Sequence, residues 1–308
     1  MDMKQEIKGY LHFCEFQKKL SQKSIKAYSI DLRQFATHLD GLENKDDTMK
    51  SKICSYISEL HATFSPKTAK RKLASLRAFF NYLEFEDIID ANPLRKIRTR
   101  FQEPRILPKT IPLKTIGQLL SAAHKEHAVA STTYGKFATL RDVAIMELLF
   151  ATGMRVSELC SLKTEDVDLE NGCIRIIGKG SKERVIQIGN KDVLSILLKY
   201  KKSCQSRPIQ SGFFFVNRLT ARLSEQSVRF MLQGFCNKIK TTTKITPHMF
   251  RHSFATFLLE EDVDIRYIQR MLGHSSIQTT QIYTQVTSEK QRQILTAKHP
   301  RNKIIVEK

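Results

Sequence analysis

No run of apolar residues in this 308-residue chain is long enough to span a bilayer. The opening stretch, MDMKQEIKGY, has no apolar core of the kind a signal peptide needs. A soluble, cytoplasmic protein is therefore expected. Cysteine is sparse and scattered: Cys14, Cys54, Cys160, Cys173, Cys204 and Cys236 include no C-x-x-C pair. That spacing supports neither a zinc site nor a disulfide frame and fits reduced, mostly buried thiols. Carboxylates nowhere stand at metal-ligand spacing, and EEDVD at Glu260 to Asp264 reads as a charged helix end. Neither a metal nor another cofactor is expected. Internal repeats and low-complexity tracts are lacking too. Negative charge is also short, with 31 Asp+Glu against 51 Lys+Arg, a formal balance of +20. Such an excess points to a polyanionic partner, nucleic acid before a membrane surface, because no juxtamembrane anchor accompanies it.

What is present is the material of a core. Hydrophobic residues make up 41% and charged residues 27%, the usual mix of soluble domains. The length suits two domains. Residues 1–100 read as a helical bundle. In SQKSIKAYSIDLRQFATHL, Ile25, Tyr28, Leu32, Phe35 and Leu39 recur three and four apart, which makes one helix stripe. In SPKTAKRKLASLRAFFNYL, Ser65 is placed to cap and Pro66 suits the first helical position. Ala69, Leu73, Leu76, Phe80 and Leu83 form its apolar seam, while Lys67, Lys70 and Arg77 project elsewhere as candidate DNA contacts. Shorter helices are expected around Ile7 to Phe16 and Ile53 to Leu60.

The pattern breaks at NPLRKIRTRFQEPRILPKTIPL, where Pro93, Pro104, Pro108 and Pro112 exclude a continuous helix. This segment reads as an extended basic linker, centred on residues 101–113. Residues 114–308 then mix helix and strand signals. RDVAIMELLFATG is an apolar helix stopped by Gly153. NGCIRIIGKGSKERVIQIG reads as two strands joined at Gly178–Lys179–Gly180, with Cys173, Arg175 and Ile177 on one face and Ile174 and Ile176 on the other. The aromatic run FFFV, Phe213 to Val216, is strand-sized. The fold class expected is an α-helical bundle followed by a mainly α, α+β domain with a small antiparallel sheet.

Four motifs carry residues that can do chemistry. In ATGMRVSEL a glycine turn leads to a short helix whose Val156, Leu159 and Cys160 face inward, with Arg155 and Glu158 together on another side. A carboxylate orienting a phosphate-binding guanidinium and an ordinary surface ion pair both suit that spacing. In ITPHMFRHSFATFLL, Thr246 and Pro247 open a helix with Phe250, Phe254, Phe257 and Leu258 as its buried stripe. His248 and Arg251 share a different face near its start, where a cation is awkward unless an anion arrives. Lys179 sits at the glycine-flanked hairpin tip, with Lys182 as its rival. Finally, DIRYIQRML offers Ile265, Ile268 and Leu272 as one apolar side and Gly273 as the stop, just before His274. Ser275 or Ser276 can cap a further short helix bearing Tyr283.

Together these residues suit attack by a tyrosine oxygen on a phosphodiester. The phenol must lose its proton as it attacks. Guanidiniums stabilise the charge gathering on the nonbridging oxygens. A general acid must protonate the leaving 5′ oxygen. Arg155 and Arg251 suit the clamp, His248 and His274 proton handling or oxyanion binding, and Lys179 the acid.

The ordered set ATGMRVSEL, GKGSKER, HMFRHSFATFLL and LGHSSIQTTQIYT resembles the tyrosine recombinases of the phage-integrase family. KHPR near the end, with no extra N-terminal arm-binding domain, is similar to the Xer type. HKEHAVASTTYGKFATL and NKIIVEK look like extra length, and integrases of mobile elements or inversion enzymes stay open. The resemblance implies Tyr283 as nucleophile, Arg155 and Arg251 as clamp, Lys179 as hairpin acid, His248 and His274 as the paired histidines, and Glu158 as the acidic residue beside the first arginine. It also implies a SAM-like core-binding domain and a catalytic domain that grip double-stranded DNA, a 3′-phosphotyrosine intermediate, and a Holliday junction within a homo-tetramer or a hetero-tetramer with a related recombinase. A nucleoid-associated location without cofactors goes with it. The segment SEKQRQILTAKHP is then an oligomerisation helix that packs on a neighbour. DNA relaxation of the type IB topoisomerase kind, and a non-catalytic DNA-binding role, are the alternatives.

Overall fold

The computed structural model describes residues 2–42, 48–97, 99, 109–178, 183–205, 211–273 and 288–305, with backbone alone at 205 and 288–291. The chain divides into two units, Met1–Ile106 and Leu107–Lys308.

The helices of the first unit start where side chains can take up free N–H groups. Asp2 opens α1 (Met3–Phe16) by accepting from the Lys4 N–H at 2.9 Å. Ser21 opens α2 (Gln22–Asp40), and Thr48 opens α3 (Met49–Thr63), each accepting from the N–H three residues on. α4 (Pro66–Phe85) begins on its proline as expected, but Ser65 does not cap it; its hydroxyl donates to Thr68 Oγ1 at 3.1 Å. The α4 seam is buried as the sequence predicts, and Phe79 joins it. In α2, Leu32 and Phe35 are buried while Ile25, Tyr28 and Leu39 pack at the margin.

One buried polar knot holds α2 to α4. Asp31 accepts from Lys72 Nζ at 3.1 Å and from Ser75 Oγ at 2.8 Å, and pairs with Arg71. An unpaired carboxylate at that depth would cost several kcal/mol, so the three donors fix which turn of α4 faces α2. The proline-bearing segment does not open extended, and residues 100–108, most of the expected linker, lie outside the described residues. Pro93–Lys96 forms a 3-10 turn with Leu94 buried and its N–H bonded to Asn92 Oδ1 at 2.8 Å. Pro93 stands at the first position of that turn, where its fixed φ fits and its missing N–H needs no partner.

In the second unit α5 (Leu113–Val129) follows Ile111, whose N–H donates to Ser253 Oγ at 2.8 Å. α6 (Thr133–Thr152) is buried on every side from Val143 to Thr152 and serves as the central post. The short α7 (Val156–Ser161) leads to a sheet of β1 (Val167–Asp168), β2 (Cys173–Ile177) and β3 (Glu183–Gln187), antiparallel in that order. The predicted alternation of β2 holds, with Ile174 and Ile176 buried and Ile176 opposite Arg184. β1 was not expected, because a two-residue strand carries no periodicity. The FFFV run is buried from Phe214 to Val216 but makes only isolated bridges, Lys163 with Phe213 and Val216 with Arg222, instead of a regular strand.

α8 (Lys191–Gln205), α9 (Glu225–Lys238), α10 (Pro247–Glu260), α11 (Ile265–Leu272) and α12 (Ser288–Lys298) complete the unit. α12 packs on its own unit: Leu295 is fully buried, and a Cβ at Gly189 would lie 2.6 Å from the Leu295 carbonyl carbon. The chain then returns to α6. His299 Nε2 lies 3.1 Å from the Phe150 carbonyl, and Arg301 binds Glu147. No helix among the described residues is long and apolar enough to cross a membrane.

Candidate active site

The site grows from two left-handed glycines. Gly153 closes α6 at φ +60, and a Cβ there would stand 2.7 Å from Phe254 Cδ1. Gly273 closes α11 at φ +65, where a Cβ would stand 3.1 Å from Arg184 Cδ. Only glycine meets both demands cheaply.

Arg155 occupies the N-cap of α7, and Glu158 reaches back to it. The Arg155 N–H donates to Glu158 Oε2 and its Nη1 to Oε1, both at 2.8 Å. Glu158 is buried while the Arg155 side chain is 36% exposed, so this is no ordinary surface pair. Val156, Leu159 and Cys160 face inward as predicted.

Arg251 departs from expectation. Instead of standing on an outer face it is buried, 6% exposed, with Nη1 donating to the Gly153 carbonyl at 3.0 Å and Nη2 to the Leu272 carbonyl at 2.6 Å. Carbonyls at the ends of α6 and α11 thus offset the awkward cation before any ligand arrives. Burial, followed by the charges of Arg155 and Arg184, pulls the Arg251 guanidinium down to about 10, with Glu158 opposing. It remains charged at neutral pH. His248, one turn earlier, is exposed. Burial and then the nearby charges of His248 and Arg251 lower the His252 imidazole below its usual value.

Arg184, absent from the sequence-based set, belongs here. Its Nη1 and Nη2 donate to Glu158 Oε1 and Oε2 at 3.0 and 2.8 Å, and its Nε to the Met271 carbonyl at 2.9 Å. Burial alone would raise the Glu158 carboxyl, but the Arg184 fork and the Arg155 donors outweigh it and hold it below its ordinary value. The available signal was GKGSKER itself, with one arginine two residues beyond Lys182 on a strand beside a lone buried carboxylate.

α10 and α11 also part from the pattern in detail. Thr246 makes no side-chain cap, and Phe257 is only partly buried. In α11, Ile265 is 53% exposed and Met271 takes its place beside Ile268 and Leu272. The charged run at Glu260 to Asp264 ends α10, and Asp264 caps α11 by accepting from the Arg266 N–H at 2.8 Å. Lys179, its rival Lys182, His274, the two candidate cap serines and Tyr283 lie outside the described residues. Thus Arg155, Glu158, Arg184 and Arg251 are brought together at the point where the chain enters residue 274. On the first unit, Lys67, Lys70 and Arg77 are exposed along α4, and Arg71 extends their stripe.

The phage integrase family pattern matches residues 110–290, and that of the phage integrase N-terminal SAM-like domain matches residues 7–87. A tyrosine recombinase of Agathobacter rectalis is 50% identical over 300 residues, covering 97% of this chain and 98% of the relative. Tyrosine recombinase XerD of Listeria monocytogenes is 38% identical over 303 residues, covering 96% and 98%. Among solved structures, XerH site-specific recombinase in a post-cleavage complex with palindromic difH substrate aligns with a TM-score of 0.70 at 21% identity, covering 94% of this chain and 80% of that one, and shares the fold. These matches favour strand exchange over DNA relaxation or non-catalytic binding. Matched in both of its units, and along nearly its whole length by a tyrosine recombinase, the chain belongs to the phage integrase family of site-specific tyrosine recombinases.

Proposed function

We propose that the chain recombines double-stranded DNA with Tyr283 as nucleophile, Arg155 and Arg251 as the phosphate clamp, and Lys179 as general acid. Glu158 orients Arg155, and His248 and His274 handle protons or bind the oxyanion. The Tyr283 oxygen attacks the scissile phosphorus while its proton passes to a histidine. The bond to the 5′ oxygen breaks, and the Lys179 ammonium protonates that oxygen. A 3′-phosphotyrosine and a free 5′-hydroxyl result. A 5′-hydroxyl from the partner duplex then attacks the phosphotyrosine and expels the phenol, so one phosphodiester is exchanged for another. Nucleotide hydrolysis is not needed, because no phosphodiester bond is lost overall.

The observation that carries this assignment is the convergence of Arg251 and the Arg155–Glu158 pair at the end of α11. Two guanidiniums so held can take the nonbridging oxygens without rearranging as charge develops. The domain roles follow. Residues 1–100 form the core-binding domain, 101–113 the basic linker, and 114–308 the catalytic domain, whose last helix, seated here on its own unit, serves oligomerisation by moving onto a neighbour. The assembly is a tetramer on a Holliday junction, of one chain type or of two related recombinases, and the location is the cytoplasm at the nucleoid. A XerH recombinase bound to difH and a lambda integrase tetramer bound to a Holliday junction share the fold and support this picture.

The test is covalent trapping on nicked genomic fragments followed by denaturation and sequencing of the attached DNA. Protein-linked DNA that shares a site, and that disappears with Tyr283→Phe, is expected. Only free DNA after denaturation would overturn the assignment.

A further inference from the structure

The segment from Gly153 to Glu158 is stitched to the end of α11 twice. One stitch runs from the Gly153 carbonyl through Arg251 to the Leu272 carbonyl. The other runs from the Glu158 carboxylate through Arg184 to the Met271 carbonyl. Two consecutive carbonyls of one helix terminus are therefore read by two guanidiniums, each of which also grips the segment carrying Arg155.

The second stitch depends on features only an arginine supplies. Its planar fork meets both carboxylate oxygens while Nε, on the other edge, bonds a carbonyl. A lysine offers one compact ammonium and can serve only part of that set. The path is also cleared for it, because Gly273 has no side chain where the Arg184 stem passes. Glu158 has both oxygens doubly occupied, by Arg184 on one side and by the Arg155 N–H and Nη1 on the other. Without Arg184 half of those bonds vanish, and the carboxylate is free to turn within its pocket. Arg155, whose Nη1 donates to Glu158 Oε1, turns with it. Arg184 stands on β3, so the strand leaving the hairpin of Lys179 is anchored at the same point.

We propose that Arg184 is a positioning residue for strand cleavage, setting Arg155 through Glu158 and fixing the place where the chain leaves α11 toward Tyr283. This rests on the site assignment above. It does not require Arg184 to touch the DNA.

The test uses the full chain and a nicked suicide duplex built on the site recovered by covalent trapping, with single-turnover cleavage and duplex dissociation constant measured separately. For Arg184→Ala, cleavage should fall about 100-fold while duplex affinity stays within about threefold. Arg184→Lys, which keeps the charge and one donor, should recover part of the rate. Combined with Glu158→Ala, the loss should remain close to that of the slower single variant, since both act along one path. A neutral methylphosphonate at the scissile position gives a readout that general damage to the fold would not move. It lowers the demand for a second guanidinium, so the deficits of Arg184→Ala and Arg155→Ala should shrink together, by about tenfold or more. Undiminished cleavage by Arg184→Ala, or multiplying losses in the double variant, would overturn the role even if Tyr283→Phe is inactive. Full cleavage by Tyr283→Phe would instead overturn the site assignment itself, and this role with it.

Discussion

Arg301 grips Glu147 through two parallel bonds, Nε to Oε2 at 2.7 Å and Nη2 to Oε1 at 2.8 Å, inside the second unit. Glu147 lies on the central helix α6 and has no exposed side-chain surface, while His124 Nε2 stands 3.3 Å from its Oε1. Burial would raise that carboxyl, but Arg301 and then His124 outweigh it and keep it charged.

Arg301→Ala should therefore be costly, because it strands a buried charge. A loss of about 3–5 kcal/mol in urea unfolding is expected. Replacing both partners by apolar residues, Glu147→Leu with Arg301→Met, should cost clearly less. Equal losses in the two variants would show that packing, not charge, holds the tail.

His299 gives the tail a pH dependence. Burial pulls its imidazole down to about 4 from 6.5, although bonds to the Phe150 and Ala151 backbone work the other way. Between those values the unfolded chain binds a proton that the folded chain refuses. Its contribution is therefore complete above pH 6.5 and is lost progressively as pH falls toward 4, by about 3 kcal/mol in all. Subtracting the stability profile of His299→Gln from that of the unchanged chain should reveal this slope; a flat difference would refute it.

Gly153→Ala should damage both the fold and the site. The backbone there is left-handed, and the new methyl would meet Phe254 at 2.7 Å and Leu272 at 2.9 Å. Strain and overpacking together should cost about 2–4 kcal/mol. Because the Gly153 carbonyl is also a partner of Arg251, cleavage per folded molecule should fall as well. A stability loss with an unchanged single-turnover rate would separate the two effects.

Much of this was legible in the sequence because periodicity and punctuation agree with burial. The α4 seam, the β2 alternation and the stops at Gly153 and Gly273 are local signals that tertiary packing left alone. Other features depend on partners far along the chain. Arg251 spaces like a surface residue in α10, and only the carbonyls at Gly153 and Leu272 draw it inward. Arg184 has no local pattern beyond strand alternation, since its partners Glu158 and Met271 are distant in sequence. Ile265 fits the apolar stripe of α11 yet is exposed, because it stands at the first position of the helix and burial there begins only at Ile268.

On the first unit, neutralising Lys67, Lys70 and Arg77 together should weaken duplex binding and flatten its salt dependence. Each phosphate contact removed should lower the slope of log affinity against log salt by about one. Fluorescence anisotropy with the trapped site across a salt series measures this. An unchanged slope would remove that face of α4 from the interface.

The return of the chain to α6 has a consequence for its synthesis. The helix that precedes Arg155 is made in mid-chain, but its buried Glu147 finds Arg301, and the Phe150 carbonyl finds His299, only when residues 299–301 have been added. A nascent chain halted before α12 already carries Arg155 and Arg251 but leaves the buried Glu147 carboxylate with His124 alone. Full satisfaction of the helix before Arg155 is thereby delayed until residues 299–301 have been made.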